Sequence, residues 1–114
     1  MSKIDNMTRL LHMRDAAIEA IDFVSGRSRD ELNTNRMLTL ALVKDIEIIG
    51  EAASRISAEC RARYPQLSWG QIIGMRNRLT HAYFEVNLDI VWQVVTNDLP
   101  TLVMELEEII SLET

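Results

Sequence analysis

Apolar positions recur every three to four residues along most of this chain, a period that predicts helices and little else. From Lys3 to Val24, the residues Ile4, Met7, Leu10, Leu11, Ala17, Ile18, Ile21 and Val24 mark one amphipathic segment. The stretch "SGRSRDELNTN" interrupts it, with Gly26 suited to a C-terminal cap and Asn33 or Thr34 to the next N-cap. A second segment, about Asn35 to Tyr64, is apolar nearly all round its middle, from Leu38 to Ile56. Such a helix is central in a bundle or buries a second face against another chain, and in a domain this small both are expected. Pro65 stops it and biases Tyr64 away from helical angles. A third segment opens at Ser68, a good N-cap, and runs through Trp69, Ile72, Ile73 and Met75 into a polar stretch. Asn87 caps a fourth, with Leu88, Val91, Trp92 and Val95 on one side. Pro100 fits the first turn of a last helix capped by Asn97 or Asp98. The pattern predicts a single domain over 1–114, all-α, an up-and-down bundle of four to five helices that pairs as a homodimer.

Composition supports helices over a β-sandwich, because Gly and Pro number only 4 and 2 and aromatics reach only 5%. The lone Cys60 excludes an intrachain disulfide framework and fits a reducing, cytoplasmic setting. The start, "MSKIDNMTRLLHMRDAA", is charged throughout and does not read as a secretory signal. The most apolar run, 38–43, is far too short to span a bilayer, so no membrane partner is expected. A net charge of −5 argues against nucleic acid at first, but the charge is segregated. Residues 1–78 hold all 12 Lys and Arg against 10 acids, a balance of +2, and residues 79–114 hold 7 acids and no Lys or Arg. A local basic surface is compatible with that division.

The polar stretch "GMRNRLTHAYFEVN" gathers Arg76, Asn77, Arg78, His81 and Tyr83, including one of only two histidines in the chain. If the helix continued, Asn77 and His81 would share one face, and Arg76 and His81 would point about 140° apart, so the helix must loosen or a second molecule must complete any site. The residue types suit phosphate chemistry: a planar, permanently charged donor fork and an imidazole that moves protons near neutral pH. Nothing here suits a metal, since there is no second nearby histidine and no cysteine pair. Metal-free RNA cleavage by an internal 2′-hydroxyl needs a base and an acid on opposite sides of phosphorus, and a two-fold dimer would supply two histidines. The same residues also serve simply to cap a helix C-terminus, and periodicity does not separate the two readings.

The segments "IEIIGEAASRIS", "YPQLSWGQIIGMRNRLTHAYF" and "VNLDIVWQVVTNDLPTL" resemble the HepT-like branch of the HEPN superfamily over roughly residues 5–110. The family signature, an arginine, four residues, a histidine, one residue and a tyrosine, falls on Arg76, His81 and Tyr83. The resemblance implies an all-α homodimer whose paired motifs line one cleft, and a metal-independent endoribonuclease needing no cofactor. It implies the toxin of a toxin–antitoxin pair, opposed by a minimal nucleotidyltransferase antitoxin that in some members transfers AMP onto the tyrosine, here Tyr83. By the same carry-over Arg76 stabilises the scissile phosphate, His81 transfers protons and Asn77 helps to position them. A second class remains open, a non-catalytic helical subunit that binds a nucleotidyltransferase.

Elsewhere, Glu47, Glu51 and Arg55 form an i, i+4, i+8 row that reads as solvated or interhelical ion pairs, with Asp45 or Glu51 as the alternative partner orienting Arg76. Lys44, Arg55, Arg61, Arg63 and Arg78 offer a basic approach for an RNA backbone. His12 reads as structural or surface, and Trp69 and Trp92 as core or interface anchors.

Overall fold

A computed structural model describes residues 5–79 and 85–114, and every regular element among them is helical. Helix α1 (Asn6–Val24) starts where the Asp5 side chain accepts from the Thr8 amide, and it buries Leu10, Met13, Ala17, Ala20 and Val24 at alternating three- and four-residue steps. It ends in a turn at Gly26, whose φ of 76° is the left-handed conformation that glycine adopts without steric cost. A single helical turn, α2 (Glu31–Thr34), leads to α3 (Arg36–Ser54). The cap of α3 is Asn35, whose side chain accepts from the Leu38 amide, and not Asn33 or Thr34 as the pattern suggested.

The long second segment is two helices. After α3 the chain turns at Arg55 and Ile56, and α4 (Ala58–Arg63) begins anew under a Ser57 cap that accepts from the Cys60 amide. Asn6, 51 residues away, holds this break: its Nδ2 donates to Ser57 Oγ (3.2 Å) and its Oδ1 accepts from the Ser57 amide (3.0 Å). The kink sends Ile56 into the core. As expected, Tyr64 leaves helical angles before Pro65. Its hydroxyl donates to the Glu113 carboxylate, which also receives Arg63, and this ties α4 to the end of the chain.

Next come α5 (Trp69–Ile73), α6 (Met75–Arg78), α7 (Leu88–Gln93) and α8 (Leu99–Glu113). Ser68 precedes α5 without a side-chain cap bond, whereas Asn87 caps α7 as expected by accepting from the Ile90 amide. The last helix does not start afresh at Asn97 or Asp98. Residues Val94–Asp98 form a π-helical turn that joins α7 to α8 without a stop. Pro100 has no N–H to donate to a carbonyl of the preceding turn, and a π segment in that turn lets the helix run past it.

Helix α1 packs against both α3 and α8, and α3 carries α5 and α6 on another side. Trp69 and the fully buried Leu42, Ile46, Ile49, Leu99 and Leu106 belong to one continuous core. The apolar circumference of α3 is thus largely consumed within the chain, yet Met37 (81% exposed) and Leu40 (51%) remain outside. None of the described helices is long and apolar enough to cross a membrane.

One acid sits inside this core. Asp45 on α3 is only 2% exposed, and its Oδ2 is buried without a partner. Burial first, then a hydrogen bond and charge repulsion from Glu19 on α1, push its carboxyl up from 3.8 to about 7. The folded state therefore holds a proton that the unfolded chain releases at lower pH, so stability falls as pH rises from about 4 to about 7. Asp45→Asn, which stays neutral, is expected to be more stable at pH 8, with about 4 kcal/mol as the upper bound, and indistinguishable from the parent near pH 4. Urea unfolding across this range measures the difference, and an unchanged midpoint at pH 8 would contradict it.

Candidate active site

The site begins with a glycine. A Cβ at Gly50 of α3 would meet the Ile73 and Ile72 carbonyls of α5 at 3.2 and 3.4 Å, so the bare backbone is what lets α5 lie against α3. Gly74 then separates α5 from the short α6, which places Arg76 over the preceding turn of α3. There Arg76 Nε donates to Glu47 Oε2 at 2.8 Å. Arg76 is 45% and Glu47 35% exposed, so the pair is a solvent-screened orienting contact more than a source of stability. The terminal guanidinium nitrogens of Arg76 make no hydrogen bond to a described residue, which leaves the fork open to an oxyanion. Gly50→Ala would press the α5 carbonyls outward by a few tenths of an ångström; the expected result is a modest loss of stability, about 1 kcal/mol, with a larger fractional loss of whatever activity depends on Arg76. Thermal unfolding beside an activity assay checks this.

The row Glu47, Glu51 and Arg55 forms ion pairs as expected, whereas the alternative that Asp45 or Glu51 orients Arg76 does not hold. Asp45 is turned inward to Glu19, and Glu51 binds Arg55 at 2.7 Å. Glu47 is the partner, and the row Glu47, Glu51 and Arg55 splits into one contact between helices and one along α3.

Arg76 lines a groove of about 710 Å³, within the range of ligand sites, formed by α1, α3 and the α5–α6 corner. Lys44 lines it, and Arg55 stands beside it through Glu51. His12, read from the sequence as structural or surface, is exposed and on the rim of this same groove. Arg78 faces another way, toward a second cavity of about 350 Å³, where it lies 3.9 Å from Asp98. Arg63 is engaged with Glu113. Asn77 is exposed on α6. His81 and Tyr83 lie outside the described residues, as does any interhelical angle between Arg76 and His81; α6 itself ends at Arg78. The described residues on either side of that segment are tied together, the Asn87 amide donating to the Leu79 carbonyl. No group of three His, Cys, Asp or Glu among the described residues is arranged to hold a metal ion.

An oriented arginine with its terminal nitrogens open at a groove has the chemistry to meet an anion. The chain's relationships specify the class. A profile described as ribonuclease HepT-like matches residues 13–109, and the chain belongs to this family. It is 33% identical to a Methanocaldococcus jannaschii protein designated a candidate RNase, over 94% of this chain and 98% of that one. A second candidate RNase, from Caldanaerobacter subterraneus subsp. tengcongensis, is 37% identical over 82% of this chain and 83% of its own. The Thermococcus cleftensis protein named "Probable ribonuclease HepT" is 29% identical over 86% of this chain and 92% of its own. No solved structure matches the chain.

Proposed function

We infer that this protein is a metal-independent endoribonuclease acting as a homodimer, the toxin of a pair whose antitoxin is a minimal nucleotidyltransferase. The observation that carries the reading is Arg76, held at Nε by Glu47 with its terminal nitrogens open at a groove, in a chain of the HepT-like ribonuclease family. In the reaction the ribose 2′-oxygen attacks the adjoining phosphorus and the 5′-oxygen of the next nucleotide leaves. The products are a 2′,3′-cyclic phosphate and a free 5′-hydroxyl. Arg76 donates to the non-bridging oxygens, whose negative charge grows in the transition state. His81 of one protomer takes the 2′-hydroxyl proton and that of its partner protonates the leaving oxygen, with Asn77 helping to position the phosphate. Lys44 and Arg55, and at the margin Arg78, attract the flanking backbone. The antitoxin would silence the site by joining AMP to the Tyr83 phenol oxygen with release of pyrophosphate, which sets a phosphodiester anion in competition with RNA for Arg76.

The test is incubation of the purified protein with end-labelled RNA in the presence of a chelator, followed by analysis of product ends. Cleavage that leaves 2′,3′-cyclic phosphates is expected. Products with 3′-hydroxyl ends, or cleavage only on addition of a divalent ion, would refute the mechanism. A silent RNA assay with an intact nucleotidyltransferase complex would instead define a non-catalytic binding subunit. Intact mass after co-expression with the transferase is expected to show one added adenylyl group, lost in Tyr83→Phe.

A further inference from the structure

The groove that Arg76 lines has a second wall with unspent charge. Arg9 and His12 lie three residues apart on one face of α1, and Lys44 faces them from α3. The two acids of the same groove are both engaged, Glu47 with Arg76 and Glu51 with Arg55. Arg9 and Lys44 have no ion-pair partner among the described residues, whereas seven other arginines do. Arg9 lines the groove and is half-buried, with Nε enclosed and unbonded. His12 is exposed beside it and can donate or accept. After the internal pairs cancel, the groove is neutral around Arg76 apart from the open fork, and positive along α1.

We propose that Arg9 and His12, with Lys44 opposite, form a subsite for the phosphodiester adjoining the one held by Arg76, so that the substrate is read as two consecutive phosphates of single-stranded RNA. The assignment rests on the ribonuclease reading for its substrate, and its residues take no part in bond cleavage. Arg9 and His12 bind and align the strand; they contribute to the occupancy of the site more than to the rate of the step.

The experiment separates the two readings by using an RNA that cannot be cut. A 5′-labelled, fully 2′-O-methylated twelve-nucleotide strand, which has no nucleophile, is titrated with the whole protein by fluorescence anisotropy at several salt concentrations. The Arg9→Gln/His12→Gln variant is expected to bind about tenfold more weakly, with a log–log salt slope smaller by about 0.7, the loss of one phosphate contact. His12→Gln alone, at an exposed position that cannot disturb the core, is expected to weaken binding about threefold. Arg36→Gln, which removes a charge outside the groove, controls for net charge. If the groove variants lose no more affinity than Arg36→Gln, or if the salt slope does not change, the subsite is overturned. Cleavage of the unmodified strand is assayed in parallel: if the parent binds through the subsite and does not cut, the nuclease reading fails and the subsite stands. If the variants raise KM at constant kcat, both hold.

Discussion

Arg76→Ala is expected to reduce kcat for RNA cleavage by about a thousandfold while shifting unfolding by less than about 1 kcal/mol. The size follows from the loss of a charged, bidentate donor aimed where phosphorane charge develops. The small stability cost follows from the exposure of both partners, since Arg76 is 45% and Glu47 35% exposed. Arg76→Lys is expected to recover little, because an ammonium cannot bind Glu47 at one edge and two phosphate oxygens at the other. Glu47→Gln keeps a weaker acceptor for Nε and is expected to cost about tenfold, in kcat more than in KM, as fits a residue that positions Arg76 and touches no substrate. Single-turnover kinetics with urea unfolding of each variant measures both quantities. An Arg76→Ala protein that retains a tenth of the parent kcat would remove this residue from the mechanism.

Leu42→Ala is expected to destabilise the fold by about 3–5 kcal/mol, a large part of the roughly 6–17 kcal/mol that a domain of this length commands. Leu42 is fully buried on α3 within a core shared with α1, so truncation leaves a cavity that rigid helices cannot close. Leu40, two residues earlier on the same helix, is 51% exposed, and Leu40→Ala is expected to cost under about 1 kcal/mol within one chain. The comparison also interrogates the proposed homodimer. If Leu40 and Met37 meet a second protomer, the Leu40→Ala cost grows with protein concentration, because subunit association then contributes to stability. Urea unfolding of both variants at two concentrations separates the cases.

Helix positions were readable from the sequence where local signals agreed: the Val24 end with Gly26, the Tyr64–Pro65 stop and the Asn87 cap all match the structure. The readings that failed depended on partners distant along the chain. Beside Ile56 the only local signal for a break is Ser57, a cap whose clamp, Asn6, lies 51 residues away. The passage of the last helix through Pro100 depends on a π turn that apolar spacing does not encode. Arg76 stands out in the sequence by its chemistry and its neighbours, yet its partner does not. Selection of Glu47 over Asp45 and Glu51 is made by the approach of α5 at Gly50, and that is a matter of helix packing. His12 lies on the surface, as the sequence suggests, and only the folded chain brings it to the same groove as Arg76.

The backbone bond between Leu79 and Asn87 has a consequence for the corner of α5 and α6. That bond joins the end of α6 to the cap of α7, so the first turn of α7 is anchored on the helix that carries Arg76. A change that shifts α7 therefore reaches Arg76 through the backbone and not only through side-chain packing.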